Sequence, residues 1–225
     1  MKLVRIAAVL CCTALVAGCA SLSGRSTNDP AVMLQWASED FSSRNEPAEA
    51  EKLILDALKV YQRSGDRLGR AEAYRQYGLF LRSPTVTKFK QYYVTEGFQD
   101  ESIRFADRYE KAIEYFIKAR DIFAAYKKYD KLSNVDISLA KTYAQLNRHA
   151  EACDSLAKSI ENYAAYKQAN PDMKEFHAEE LADYDEYIGI LETQLSCTNA
   201  AEEPAKAPAS APAGAAQEDR TARPR

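Results

Sequence analysis

YEKAIEYFIKARDIF, residues 109–123, carries the pattern on which the fold turns. Ala112, Phe116 and Ala119 recur at steps of four and three, so they share one face of a helix. The same order of small, large apolar and small returns upstream as Ala50, Ile54 and Ala57, and downstream as Ala152, Leu156 and Ser159. Small residues let a neighbouring helix come close while the large side chain fills the space between them. Three echoes of one pattern point to a repeat of paired helices.

Working outward, helical periods cover most of the central chain. Asp29-Pro30 reads as a cap followed by proline at the first helical position, with Met33, Leu34, Ala37 and Phe41 as the apolar side. A second helix is expected over residues 47–63, with Leu53, Ile54, Ala57, Leu58 and Tyr61 in its stripe. Ser64-Gly65-Asp66 stops it, and a third follows over 67–81. Asp100 reads as the cap of a long helix over 101–128, which would span ~40 Å. Helices over 132–146 and 148–168 come next. Asn170-Pro171-Asp172 breaks the chain, and a last helix is expected over 173–196. With only eight glycines in 225 residues, the body reads as all-α.

Both ends differ from this body. Lys2 and Arg5 precede an apolar run over residues 6–17, too short to span a bilayer. The run ends in Leu15-Val16-Ala17-Gly18-Cys19, which resembles the lipobox of bacterial lipoproteins at every position of the motif. The resemblance implies cleavage after residue 18 and lipidation of Cys19 by diacylglycerol and an amide-linked acyl chain such as palmitate. Several chains together anchor firmly where one does so only marginally. Ala20 behind the cysteine points to the outer membrane. Residues 1–18 are thus expected to be a signal peptide, 19–29 a tether and 30–197 the helical domain. Residues 198–225 form a tail of alanine, proline and balanced charge, too poor in apolar groups to offset the entropy of ordering.

The spacings narrow the architecture. Ala57 to Gly78 and Ala119 to Ala140 are both 21 residues, and Ala140 to Ala152 is 12. Together with Leu139, Tyr143, Leu156 and Ser159, this arrangement resembles the tetratricopeptide repeat, over residues 30–196. The resemblance implies a short right-handed α-solenoid of helix hairpins, closed by a C-terminal capping helix. Two departures stand out: the period is 40 residues where the family's is 34, and the family's Trp and Pro positions are not met. A plain helical bundle shares the spacing and is the competing architecture.

Gly78 to Ala112 is 34 residues where the repeat expects 12, so one unit holds an insertion, residues 83–99. Its aromatics, Phe89, Tyr92, Tyr93 and Phe98, alternate with Lys88 and Lys90. They form either a partner-docking loop or a segment folded back on the body. A second candidate surface follows from the resemblance, in which the first helix of each unit lines a groove. The groove positions here include Arg75, Gln76, Arg82, Asn134, Ser138 and Lys141, beside Glu72, Leu79, Ile137 and Gln145. Arg75, Arg82 and Lys141 make it basic and suited to an acidic peptide or a chain terminus. These residues do not match the Lys/Asn set with which some family members clamp a C-terminal carboxylate.

No phosphate loop, nucleophile elbow or paired histidine is present, so no catalytic residue and no cofactor are assigned. The only histidines are His149 and His177; His177 lies among Glu179, Glu180 and Asp183, a pattern more typical of a solvated acidic face than of a metal site. Without Lys2 and Arg5, 28 basic residues face 33 acidic ones, which offers no broad basic surface for nucleic acid. Export would leave Cys153 and Cys197 in an oxidising compartment. Two readings stand for them, a disulfide and two free thiols. A last helix over 173–196 would carry Cys197 past Cys153 along the hairpin. The expected function is a membrane-anchored, periplasm-facing scaffold that binds a protein or peptide of the envelope without enzymatic activity. The alternative is a periplasmic immunity or inhibitor protein that captures a secreted toxin.

Overall fold

The computed structural model describes residues 25–172 and 183–197. Within them the chain is all-helical, with no strand. Asp29 caps α1 (Pro30–Glu39) by accepting from the amides of Ala31 and Val32. A π-helical turn (Asp40–Arg44) prolongs it and buries Phe41. Asn45, in the left-handed region, then turns the chain into α2 (Pro47–Ser64). Gly65 adopts φ 73°, a conformation that costs glycine little, and Asp66 caps α3 (Arg67–Leu81) through the Gly69 amide. α6 (Arg108–Ala125), α7 (Tyr129–Gln145) and α8 (His149–Ala169) complete the main body, and α9 (Tyr184–Leu195) closes it.

Two of these connections are built alike. The turns after α6 and α7 each place one residue in the left-handed region, Lys127 at φ 52° and Asn147 at φ 56°. In each, the next amide reaches back five residues to a carbonyl: Lys128 to Phe123 at 2.9 Å, and Arg148 to Tyr143 at 3.0 Å. Such caps satisfy the last carbonyls of the helix and allow tight antiparallel reversal. The helices pack serially: α1 on α2, α2 on α3, α3 on α6, α6 on α7, α7 on α8 and α8 on α9, with α1 also touching α3.

The expected long helix over 101–128 is shorter at its N-terminus. Asp100 does not cap it. Its carboxylate accepts from the Ser102 amide at 3.0 Å and hydroxyl at 2.7 Å, and from Tyr115 at 2.8 Å, which fixes a turn. A single 3₁₀ turn (Phe105–Asp107) follows, and α6 starts only at Arg108. The Arg108 guanidinium lies over both Phe105 and Tyr109, 4.1 Å from each ring centroid, and donates to the Phe105 carbonyl.

The insertion is also more ordered than its pattern indicates. It forms two short helices, α4 (Pro84–Lys88) and α5 (Lys90–Thr95), the first capped by Ser83 through the Val86 amide. Because α3 packs directly on α6, these two helices lie outside the main pairing. They are stapled to it by Glu51 of α2, whose Oε1 accepts from the Tyr77 hydroxyl at 2.8 Å and the Gln99 amide at 2.9 Å.

One apolar core runs from Met33 to Leu139, with Ile54, Tyr77, Phe80, Phe116 and Phe123 at its centre. Phe116 presses against Gly78: a Cβ there would stand 2.7 Å from the Phe116 ring. A smaller core joins Ile137, Ala140 and Leu156 to Ile188, Leu191 and Leu195, and so seats α9 on α7 and α8. The first part of the expected last helix, 173–182, lies outside the described residues.

Candidate functional site

The helical period places Arg75, Leu79 and Arg82 on one side of α3 and just beyond its end, and Lys131, Asn134, Ser138 and Lys141 on one side of α7. These two faces and Tyr187 of α9 line one cleft of about 410 Å³, with Ile137 completing its wall. Five of the six expected groove residues therefore meet: Arg75, Arg82, Asn134, Ser138 and Lys141. Gln76 does not; it is buried in α3 and does not line the cleft. Lys131 and Tyr187 were not expected there. Lys131 lies three residues before Asn134, so the same period contains it; Tyr187 enters only because α9 returns to α7.

Among the described residues, four cationic side chains and no carboxylate line the cleft. Three of the four are engaged. Arg75 pairs with Glu72 at 2.9 Å, and Lys131 reaches the other oxygen of the same carboxylate at 2.9 Å. Burial pushes the Glu72 carboxyl up, but these two cations outweigh it and hold it below its usual value. Lys141 donates to the Tyr187 hydroxyl at 2.6 Å and lies 5.1 Å from that ring's centroid. Arg82 differs: among the described residues it forms no ion pair. Burial lowers its pKa, opposed by the nearby Tyr187 and Tyr109. Ser138 donates to the Asn134 carbonyl, so its hydroxyl proton is already used, whereas the Asn134 side chain is exposed.

Cys153 and Cys197 form a disulfide with Cα atoms 5.3 Å apart. The overshoot expected from a helix beginning at residue 173 does not arise, since the described helix begins at Tyr184. From there, 13 residues bring Cys197 back beside Cys153 near the start of α8. At its other end α9 is tied by Tyr184, whose hydroxyl shares hydrogen bonds with Ser133 and Ser159 and whose ring stacks on Tyr163. The wall carrying Tyr187 is thus fixed on both sides.

The four aromatics of the insertion separate. Tyr93 and Phe98 stack with centroids 4.3 Å apart and are 2 % and 5 % exposed. These two belong to the core and are not available to a docking surface, because Phe80 offers its ring to both. Phe89 is half-buried, while Tyr92 is 44 % exposed beside Val94. Among the described residues no group of three or more His, Cys, Asp and Glu is placed to hold a metal. His149 opens α8, and Cys19 and His177 lie outside the described residues.

Three interior carboxylates among the described residues escaped sequence reasoning: Asp40, which pairs with Arg25 and Arg44, and Glu51 and Asp136. Glu51 lies three residues before Ile54, and Asp136 four after Leu132 and four before Ala140, so these two stand in apolar registers. Asp136 is buried; its Oδ1 lies 2.8 Å from Arg120 Nε, poorly aligned for a hydrogen bond, while Oδ2 accepts from Asn162 at 2.8 Å. Burial pushes its carboxyl up to about 6 despite Arg120 and Asn162. A charge recurring at a core period was the available signal. No protein-family model, curated protein or solved structure matches the chain.

Proposed function

We propose that this chain is a lipid-anchored, non-enzymatic binding scaffold of the bacterial cell envelope. Cys19 is the lipidated residue, and the protein faces the periplasm from the outer membrane. The helices form a short right-handed solenoid of tetratricopeptide-like hairpins, in which α3, α7 and α9 supply the inner wall. The observation that carries this reading is the cleft: three helices far apart in sequence converge on one recess, which four cationic side chains line. Its cations suit an acidic stretch or a chain terminus of a protein partner. The lipobox-like ending at Cys19 supports the address. No described helix is long and apolar enough to cross a membrane.

The full-length chain and a Cys19→Ala variant, expressed with labelled palmitate, test the anchor. Label should follow the membrane fraction only for the first; label or membrane retention in the variant would reject Cys19. Affinity capture from detergent-solubilised envelopes tests the scaffold. Several envelope proteins should be recovered, and a variant with Arg75, Arg82 and Lys141 changed to Glu should lose them while keeping native helicity. Equal recovery by both chains would reject the cleft as the partner site.

A further inference from the structure

The four cations of the cleft are not equivalent, and the difference identifies the group a ligand must bring. Arg75 and Lys131 share the Glu72 carboxylate, and Lys141 is held by Tyr187. Arg82 alone is half-buried with neither a hydrogen-bond partner nor a counter-charge for its side chain among the described residues. A desolvated cation without a partner is costly, and a guanidinium without a partner presents a planar fork of donors that fits two parallel oxygens. Leu79 and Ile137 line the same recess and provide an apolar surface beside that fork.

From this juxtaposition we infer that Arg82 is the seat of a peptide carboxylate, with Lys141 and the Asn134 amide flanking it and Leu79 and Ile137 receiving an adjacent apolar side chain. The inference rests on the scaffold reading above and makes it chemical: the ligand is a peptide with an apolar residue next to a carboxylate. That carboxylate comes either from an acidic side chain or from a free C-terminus. Arg75 and Lys131 add positive potential around the seat but keep their own carboxylate.

Binding to the full-length chain in detergent at low ionic strength distinguishes these. One probe is an acetylated, amidated peptide containing Leu-Glu-Leu; a second is acetyl-Leu-Leu-Leu with a free C-terminus; a third is its amide; a fourth is inorganic phosphate. One or both carboxylate peptides should bind saturably, weaken as salt is added, and exceed the amide and phosphate at least about tenfold. Which of the two binds tells the source of the carboxylate. Arg82→Gln should lose about tenfold or more, and Arg82→Lys, which keeps charge but not the fork, should fall between. Helicity by circular dichroism confirms that both variants fold, and Asn134→Ala offers an exposed second variant that should weaken binding without unfolding. Carboxylate peptides that bind no better than the amide or phosphate, or a folded Arg82→Gln chain that binds as the parent does, would overturn the assignment. If that result occurred while the triple Glu variant still lost its envelope partners, the scaffold reading would stand and only the carboxylate seat would fall.

Discussion

Glu51 is the residue at which chemistry and architecture meet most directly. It is 2 % exposed and joins α2, α3 and the insertion through the Tyr77 hydroxyl and the Gln99 amide. Burial pushes its carboxyl up from 4.5 to about 7, against the pull of those two hydrogen bonds. A folded-state pKa above the unfolded one favours the protonated form in the native state. Its stabilising contribution is therefore complete below pH 4.5 and is lost as pH rises through about 7. At about 1.4 kcal/mol per unit, the loss is on the order of 3 kcal/mol. Urea unfolding of the parent should show it: relative to Glu51→Gln, the parent should become less stable between pH 5 and pH 8. Parallel pH profiles for the two chains would place the effect elsewhere. The sequence holds a hint of this residue, since Glu51 sits in the register of Ile54 and Leu58. What it lacks is Tyr77 and Gln99, 26 and 48 positions away.

At the scale of elements, the contact between α3 and α6 depends on the absence of a side chain at Gly78. Three ring atoms of Phe116 lie 2.7 to 2.9 Å from where a Cβ would be, and Phe116 is wholly buried with little room to retreat. Gly78→Ala should destabilise by about 1–3 kcal/mol, the usual cost of overpacking, although alanine is the better helix former. Adding Phe116→Leu should recover part of that loss in thermal or urea unfolding. If the two substitutions cost their simple sum, they do not share this contact. Both partners were legible in the sequence, Phe116 in the small-large-small pattern and Gly78 in the 21-residue spacing from Ala57. The helix bounds were legible too where caps were local: Asp29, Gly65 and Asp66 act within a few residues of themselves. The start of α6 was not, because Asp100 is committed to Tyr115, 15 residues on, as well as to Ser102.

For the molecule as a whole, the vulnerable part is the wall made by α9. Its apolar seat is the smaller core, and its approach to Lys141 places Tyr187 at the cleft. The Cys153–Cys197 bond closes a loop of 44 residues and so restricts the unfolded chain. Chain entropy puts its contribution at about 4 kcal/mol. Replacing both cysteines with serine should lower the unfolding free energy by up to that amount. Hydrogen exchange should show the loss first in α9, with the pairing of α3 and α6 still protected; uniform loss across all helices would mean that α9 is no separate unit. By itself the sequence determined the main helices of the body apart from the start of α6, their apolar faces and most cations of α3 and α7, because a period near 3.6 residues is a local property that each helix carries alone. Only the tertiary structure decided that Gln76, Tyr93 and Phe98 are interior, that Cys197 reaches Cys153, and that Tyr187 completes the cleft. Those outcomes depend on which surfaces distant segments cover, and burial by a remote partner leaves no periodic trace in the segment that is buried.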